Sequence, residues 1–278
     1  MTKPRIAVMV LVTVFVGFVY GAGAGASPWS WPTLAAALVS TALACMGASM
    51  LNQVMEFDVD ALMRRTKKRP LPAGRVRPLD ALAAGLALAT TGVVAMAWWT
   101  NWLSAVLLAL TIASYALLYT PMKRRSSLST VVGAVPGAAP PVIGFAAADG
   151  AIGAEAVVLF AILFLWQLPH FLAIAWLHRR DYARAGLPTL PVLDPDGRST
   201  FRQILLLSMA LLPVGMLPAL TGMAGDTYLI VAIVAGIGFL ACGARLAAGR
   251  RRRHARAVFL ASLVYLPILL SAMLLDKT

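Results

Sequence analysis

The chain has 278 residues, 60% of them hydrophobic and only 13% charged, yet it carries a formal charge of +13 at pH 7. Its mean hydropathy is +0.81, whereas soluble domains are about 45–50% apolar and about 25% charged. That balance excludes a water-soluble enzyme, a disordered chain and a nucleic-acid-binding arm, and it points to a polytopic membrane protein with no room for a soluble domain.

Apolar segments lie at 6–25, 33–55, 79–98, 102–121, 130–148, 155–177, 203–222, 227–247 and 257–275. Each is long enough, or nearly so, to cross about 30 Å of hydrocarbon. Helices are the expected form, because lipid offers backbone amides no partners. The expected fold class is all-α, a single transmembrane domain over 1–278 with nine membrane helices. The first segment, with Lys3, Arg5 and the run GAGAGAS at 21–27, imitates a secretory signal. Eight similar segments follow it, so a first membrane helix is the simpler reading. Cys45 and Cys242 fall inside apolar runs without metal or redox spacing and read as small buried hydrophobes.

The charges supply the topology. Basic groups precede segment 1 and occupy 64–77, 123–125, 179–202 and 245–256. With nine spans, 23 of the 24 Lys and Arg fall on one side, and only Lys277 falls on the other. The positive-inside rule makes that side cytoplasmic, with the N terminus inside and the C terminus outside. A plasma (inner) membrane location is expected, with membrane lipid as the surrounding partner and no nucleic acid.

The end of the second segment reads NQVMEFDVDALMRRTKKRPLPAGRV at 52–76. Asn52, Glu56 and Asp60 recur every four residues, so at about 100° per residue they share one helical face. Asp58 points elsewhere. Two carboxylates and an amide are oxygen donors suited to Mg²⁺, leaving coordination positions for water and phosphate oxygens. Arg64, Arg65, Lys67, Lys68 and Arg69 lie just downstream, donors suited to diphosphate oxygens. The other reading of the basic run is a topology signal alone, at a helix end that reaches the polar headgroups. Acids at a membrane helix end are costly to bury and usually functional. In RPLPAG, Pro70 and Pro72 fix φ and Gly74 permits a turn, as expected of a rigid loop over the site.

The acidic stripe followed by RT-x2-RPLP-x-G resembles the UbiA superfamily of intramembrane prenyltransferases, which are built from about nine helices. The resemblance implies Mg²⁺-dependent ionisation of an isoprenoid diphosphate and alkylation of an acceptor. Asn52, Glu56 and Asp60 match the metal and diphosphate positions, with Glu56 where many members have Asp. Four further stretches resemble the haem-modifying branch of that superfamily: TKPRI at 2–6, YTPMKRRSSLSTVVGAVPGAAPPVIGFAA at 119–147, FLWQLPHFLAIA at 164–175 and DYARAGLPTLPV at 181–192. That branch implies farnesyl diphosphate as donor, protohaem IX (haem B) as acceptor, haem O as product and haem A synthase as a candidate partner. Quinone-precursor prenyltransferases share the first signature but not the WQ-x-PHF or YT-x2-KRR stretches. A transporter would predict paired interrupted helices and would not account for the diphosphate-type motif.

The same stretches can also be read from their residues as candidate substrate contacts. Tyr119, Lys123 and Arg124 cap the fourth segment, where the cations could hold diphosphate or propionates or simply mark topology. His170 lies midway along the sixth segment and reads either as a haem contact or as a core histidine. Trp166 reads either as a platform for the macrocycle or as packing. Asp181 follows the sixth segment where other members carry a D-x3-D pair. Here position 177 is Leu, so a second metal is in doubt.

Overall fold

The computed structural model describes residues 2, 4–24 and 30–278. Met1, Lys3 and residues 25–29 lie outside the described residues, as do the side chains of Arg5 and Ala24. Parts of TKPRI, of the first basic group and of the small-residue run at 21–27 therefore fall outside it.

Among the described residues the chain is built of helices, without named strands. They are α1 (Pro4–Ala24), α2 (Trp31–Met55), α3 (Phe57–Leu62), α4 (Pro78–Trp99), α5 (Trp102–Ala113), a π-helical turn (Ser114–Tyr119), α6 (Thr120–Met122), α7 (Ser129–Asp149), α8 (Ala154–Leu177), α9 (Arg179–Arg184), α10 (Leu190–Leu193), α11 (Arg198–Leu220), α12 (Asp226–Gly249) and α13 (Arg252–Leu275). Among the described residues, nine spans are long and apolar enough to cross a membrane, with α5, the π turn and α6 making one of them. The chain is an integral membrane protein.

The observed spans follow the apolar segments, with two informative extensions. Helices α11 and α13 begin at Arg198 and Arg252, about one turn before the hydropathy rises at 203 and 257. Their first turns carry arginines, which depress hydropathy without breaking the helix. Arginine stems lie along apolar surface while the guanidinium reaches water.

Two packed groups form the body. One buries Phe18 of α1, Leu34 and Ala44 of α2, Met96 of α4, Leu108 of α5 and Ile143 of α7 together. The larger one joins α8, α11, α12 and α13 through residues such as Leu159, Phe201, Tyr228 and Leu266. The end of the bundle away from the basic loops is tied by side chains. Tyr20 donates its hydroxyl proton to the Met273 carbonyl at 2.7 Å. The Asp276 carboxylate accepts from the Tyr228 amide at 2.7 Å. Asn101 donates to the Ala146 carbonyl at 2.7 Å.

Helix α2, which carries the acidic stripe, is held against α4 by small residues. A Cβ at Gly47 would stand 2.5 Å from the Ala89 amide nitrogen, and one at Gly92 would stand 2.6 Å from the Ser40 carbonyl oxygen. Both obstacles are backbone, which does not yield like a side-chain tip. Close backbone approach through small residues is how membrane helices gain packing without a hydrophobic driving force between them.

Gly92→Leu is therefore expected to destabilise the fold by about 1–3 kcal/mol or more, the usual cost of overpacking. A thermal melt in detergent checks this as a lowered midpoint. Gly238→Ala on α12, where a Cβ meets nothing within 4 Å, is expected to leave the midpoint unchanged or slightly raised.

Candidate active site

The acidic stripe is not one uninterrupted helix. Helix α2 ends at Met55, and Glu56 has φ −114° and ψ 8°, outside helical geometry, before α3 resumes at Phe57. Two backbone bonds survive the break. The Glu56 amide donates to the Asn52 carbonyl at 3.0 Å, and the Asp60 amide donates to the Glu56 carbonyl at 2.7 Å. The four-residue spacing thus keeps its rungs, and all three side chains turn inward. Relative exposures are 3% for Asn52, 5% for Glu56 and 1% for Asp60. Asp58, expected to point elsewhere, does so, its side chain 53% exposed.

Buried carboxylates need partners, and each of these has a cation. Lys123 Nζ donates to Glu56 Oε1 and Oε2 at 3.0 and 3.2 Å. Arg69 Nη1 donates to Asp60 Oδ2 at 2.5 Å. Burial opposes the charge on Lys123, but Tyr119 and the Glu56 carboxylate outweigh it and hold its pKa above the usual lysine value. Asp60 is further fixed through its backbone, because buried Thr66 donates its hydroxyl proton to the Asp60 carbonyl at 2.8 Å. Thr66 belongs to the RT-x2-RPLP signature and is a residue that the sequence reading passed over.

Opposite α2 stands the π turn. The Thr120 amide donates to the Tyr115 carbonyl, five residues back. A π turn inserts one residue into the helical register and often marks a functional site. Pro121, which lacks an amide proton, stands just beyond Thr120. The turn delivers three groups to α2. Thr120 accepts a hydrogen bond from Asn52 Nδ2 at 3.2 Å. Tyr119 stacks on Tyr115 with ring centroids 5.4 Å apart, and Lys123 Nζ lies 5.9 Å from the Tyr119 ring centre. A continuous α-helix over 102–121 was expected, and the inserted residue leaves no signature in hydropathy.

Other expected residues fall elsewhere. Arg124 binds Asp58 through both guanidinium nitrogens, at 2.9 and 2.6 Å, and also the Met55 carbonyl at 2.6 Å. It therefore clamps the exposed side of the helix break rather than the buried acids. Hydrogen bonding from Arg124 holds the Asp58 carboxyl below the usual carboxylate range. Arg64 is exposed. Asp181 pairs with Arg184 of its own helix at 3.0 Å. Its neighbour Tyr182 makes the link to the basic loop that follows α3, accepting from Arg65 at 3.4 Å. Val59, Met63, Tyr182 and Leu187 form a small core that joins the two loops.

His170 and Trp166 face α13. His170 Nδ1 lies 2.6 Å from the Ser262 hydroxyl, and Trp166 donates its indole proton to the Ser262 carbonyl at 2.8 Å. The two rings stack at 5.2 Å. One turn away, Gln167 is buried against α7, donating to the Ala134 carbonyl at 2.8 Å.

Among the described residues there is no group of three or more His, Cys, Asp or Glu placed to hold a metal. The stripe instead offers two carboxylates and an amide, all buried and all oxygen donors. Each carboxylate already faces a positive charge. That set suits a hard cation that also takes phosphate and water oxygens, and it does not suit a soft, thiolate-seeking metal.

A model of the UbiA prenyltransferase family matches residues 10–266. The protoheme IX farnesyltransferase of Solibacter usitatus is 49% identical over 284 residues, covering 100% of this chain and 97% of that one. The protoheme IX farnesyltransferase of Koribacter versatilis is 40% identical over 286 residues, covering 100% and 92%. Among solved structures, a digeranylgeranylglyceryl phosphate synthase superposes with a TM-score of 0.81 at 16% identity, covering 99% of each chain. A UbiA homologue from Archaeoglobus fulgidus bound to DMAPP and Mg²⁺ superposes with a TM-score of 0.68 at 16% identity, covering 98% of this chain and 99% of that one. At those identities the structural likeness is one of fold, whereas the family match spans most of the sequence. This chain belongs to the UbiA prenyltransferase family and is a prenyltransferase.

Proposed function

We propose that this chain transfers the farnesyl group of farnesyl diphosphate to a vinyl group of protohaem IX, giving haem O for haem–copper terminal oxidases. The observation that carries the choice of acceptor is the end-to-end likeness to protoheme IX farnesyltransferases, 49% identical in the Solibacter usitatus protein. The buried acid–cation arrangement supports the diphosphate chemistry. In this reading residues 1–278 act as one transmembrane prenyltransferase domain in the plasma membrane, with the basic face and the N terminus cytoplasmic and the C terminus opposite. Haem A synthase is the candidate partner that would take the product.

The reaction breaks the bond between the farnesyl C1 and the diphosphate oxygen, and diphosphate leaves with the electron pair. The terminal vinyl carbon attacks C1. Water captures the resulting cation on the inner carbon, giving the hydroxyl and releasing a proton. The vinyl group is the nucleophile, so no protein nucleophile is required.

Asn52, Glu56 and Asp60 would hold Mg²⁺, which when bound supplies positive charge to the departing diphosphate. Arg69 and Lys123, already beside the buried acids, would donate to the diphosphate oxygens as preorganised cations, whereas Arg124 would brace the bend that presents them and exposed Arg64 would meet the diphosphate only from the rim. Tyr119 would close the site beside Lys123. Trp166 and His170 would contact the acceptor, and Asp181 would orient the arginines of its loop. The membrane interior keeps early water from the farnesyl cation.

Expression in a cell unable to make haem O, with chromatography and mass measurement of extracted haems, is expected to restore haem O. Unchanged haem B with the protein present in the membrane sinks the assignment. Asp60→Ala is expected to lower kcat by at least about 100-fold in protein that still inserts, and a fully active variant removes Asp60 from the reaction.

Lys123→Met leaves Glu56 as a buried, unpaired carboxylate and is expected to cost about 3 kcal/mol of stability. Adding Glu56→Gln is expected to recover the melting midpoint without recovering turnover. Recovery of both would make the pair structural only.

A further inference from the structure

Away from the acidic stripe, at the basic face, an open cavity of about 440 Å³ separates the end of α8 from the start of α13, lined by Leu177, His178, Arg252, Arg253, Arg256 and Phe259. Its rim is basic and its floor apolar. Among the described residues, none of Arg252, Arg253 and Arg256 takes part in an ion pair, whereas Arg69, Arg77, Lys123, Arg124 and Arg184 all do. All three arginines are exposed, and Arg253 makes only a weak contact, donating from Nε to His254 Nε2 at 3.3 Å. Three guanidinium groups around a hollow, with no carboxylate in the lining, are a receptor for anions.

The floor gives the anion a body. The Phe259 ring lies 5.3 Å from the His170 ring, and His170 stacks on Trp166 at 5.2 Å. A column of flat side chains thus runs from the cavity into the membrane along the α8–α13 seam. Burial holds His178 below the usual histidine range; Arg65, the loop residue that binds Tyr182, lowers it further, Asp181 opposes the shift, and Arg252 adds to it.

We infer that this α8–α13 cavity is the acceptor's carboxylate subsite, in which Arg252, Arg253 and Arg256 take the two propionates of protohaem while the Phe259–His170–Trp166 column lies along the macrocycle. The inference rests on the acceptor proposed above. The arginines are positioning residues: they set where the vinyl edge lies and touch no reacting atom. An acidic lipid would offer similar chemistry, an anionic head on an apolar body, so the test must separate the two.

The test uses the full chain in lipid nanodiscs and compares wild type with Arg252→Gln/Arg256→Gln. Binding is followed by absorbance with protohaem IX and with its dimethyl ester, in discs with and without phosphatidylglycerol. The double variant is expected to bind protohaem about tenfold more weakly or worse, the scale of one lost charge-assisted bond. The dimethyl ester should bind wild type and variant within twofold of each other. KM for protohaem should rise while KM for farnesyl diphosphate stays within twofold. Arg251→Gln, adjacent but outside the cavity, should bind like wild type and controls for general loss of charge.

Equal protohaem affinity in wild type and double variant overturns the subsite, and does so without touching the proposed function if wild type forms haem O. An arginine dependence seen only in phosphatidylglycerol discs assigns the cavity to lipid and overturns it too. Failure of wild type to form haem O sinks both readings.

Discussion

The structure turns on one electrostatic constraint: two carboxylates are buried at the end of a membrane helix. Glu56 and Asp60 are 5% and 1% exposed, and a carboxylate in such a place is tolerated only with a close cation and further hydrogen bonds. Lys123 and Arg69 meet that need from two directions. Lys123 comes from the far end of the π turn and Arg69 from the loop after α3. Meeting the need therefore fixes the relative placement of α2, α5 and the 64–77 loop. The constraint also explains why a π turn stands just before Pro121. Shifting the register by one residue brings Thr120 to Asn52 and Lys123 to Glu56 from the same helix end, two contacts that a regular helix would aim differently.

The break at Glu56 belongs to the same arrangement. Ending the helix at Met55 and restarting it at Phe57 lets the chain turn while the backbone bonds from Glu56 to Asn52 and from Asp60 to Glu56 persist. Arg124 braces the outside of this bend by binding Asp58 and the Met55 carbonyl together. A residue expected near diphosphate is thus found supporting the residues that would contact it. The Arg65–Tyr182 contact and the small core around Met63 and Leu187 then tie the bend to the loop after α8. Both halves of the bundle are coupled at the face where the chemistry is proposed.

Much of this was legible in the sequence because hydropathy and spacing are local. The nine spans, the shared face of Asn52, Glu56 and Asp60 and the outward aim of Asp58 all follow from counting residues along one helix. What was not legible depends on partners distant in sequence. Which cation meets which carboxylate is decided over separations of 9 and 67 residues, and no spacing rule reaches that far. The π turn is a backbone insertion of one residue that leaves composition untouched. Thr66 was visible inside its motif, but its use as a clamp on the Asp60 carbonyl required the folded loop. His170 could be flagged as unusual, yet its hydrogen bond to Ser262 joins two helices 92 residues apart.

The charge of +13 divides accordingly. Counting all basic residues on one face as a topology signal treats them alike, but the fold does not. Arg69 and Lys123 balance buried acids, and Arg124 braces the bend that presents those acids. Among the described residues Arg252, Arg253 and Arg256 pair with no acid, and they surround a hollow with an apolar floor. Repulsion among three such cations is tolerable in water at low cost, because an exposed charge is well solvated and screened within about 10 Å at 0.1 M salt. Their clustering at a cavity between two spans is not required by orientation, since the rule counts charges near the ends of spans and not their mutual distance. Topology therefore accounts for the side on which these arginines lie and leaves their convergence on one cavity to be explained by what enters it.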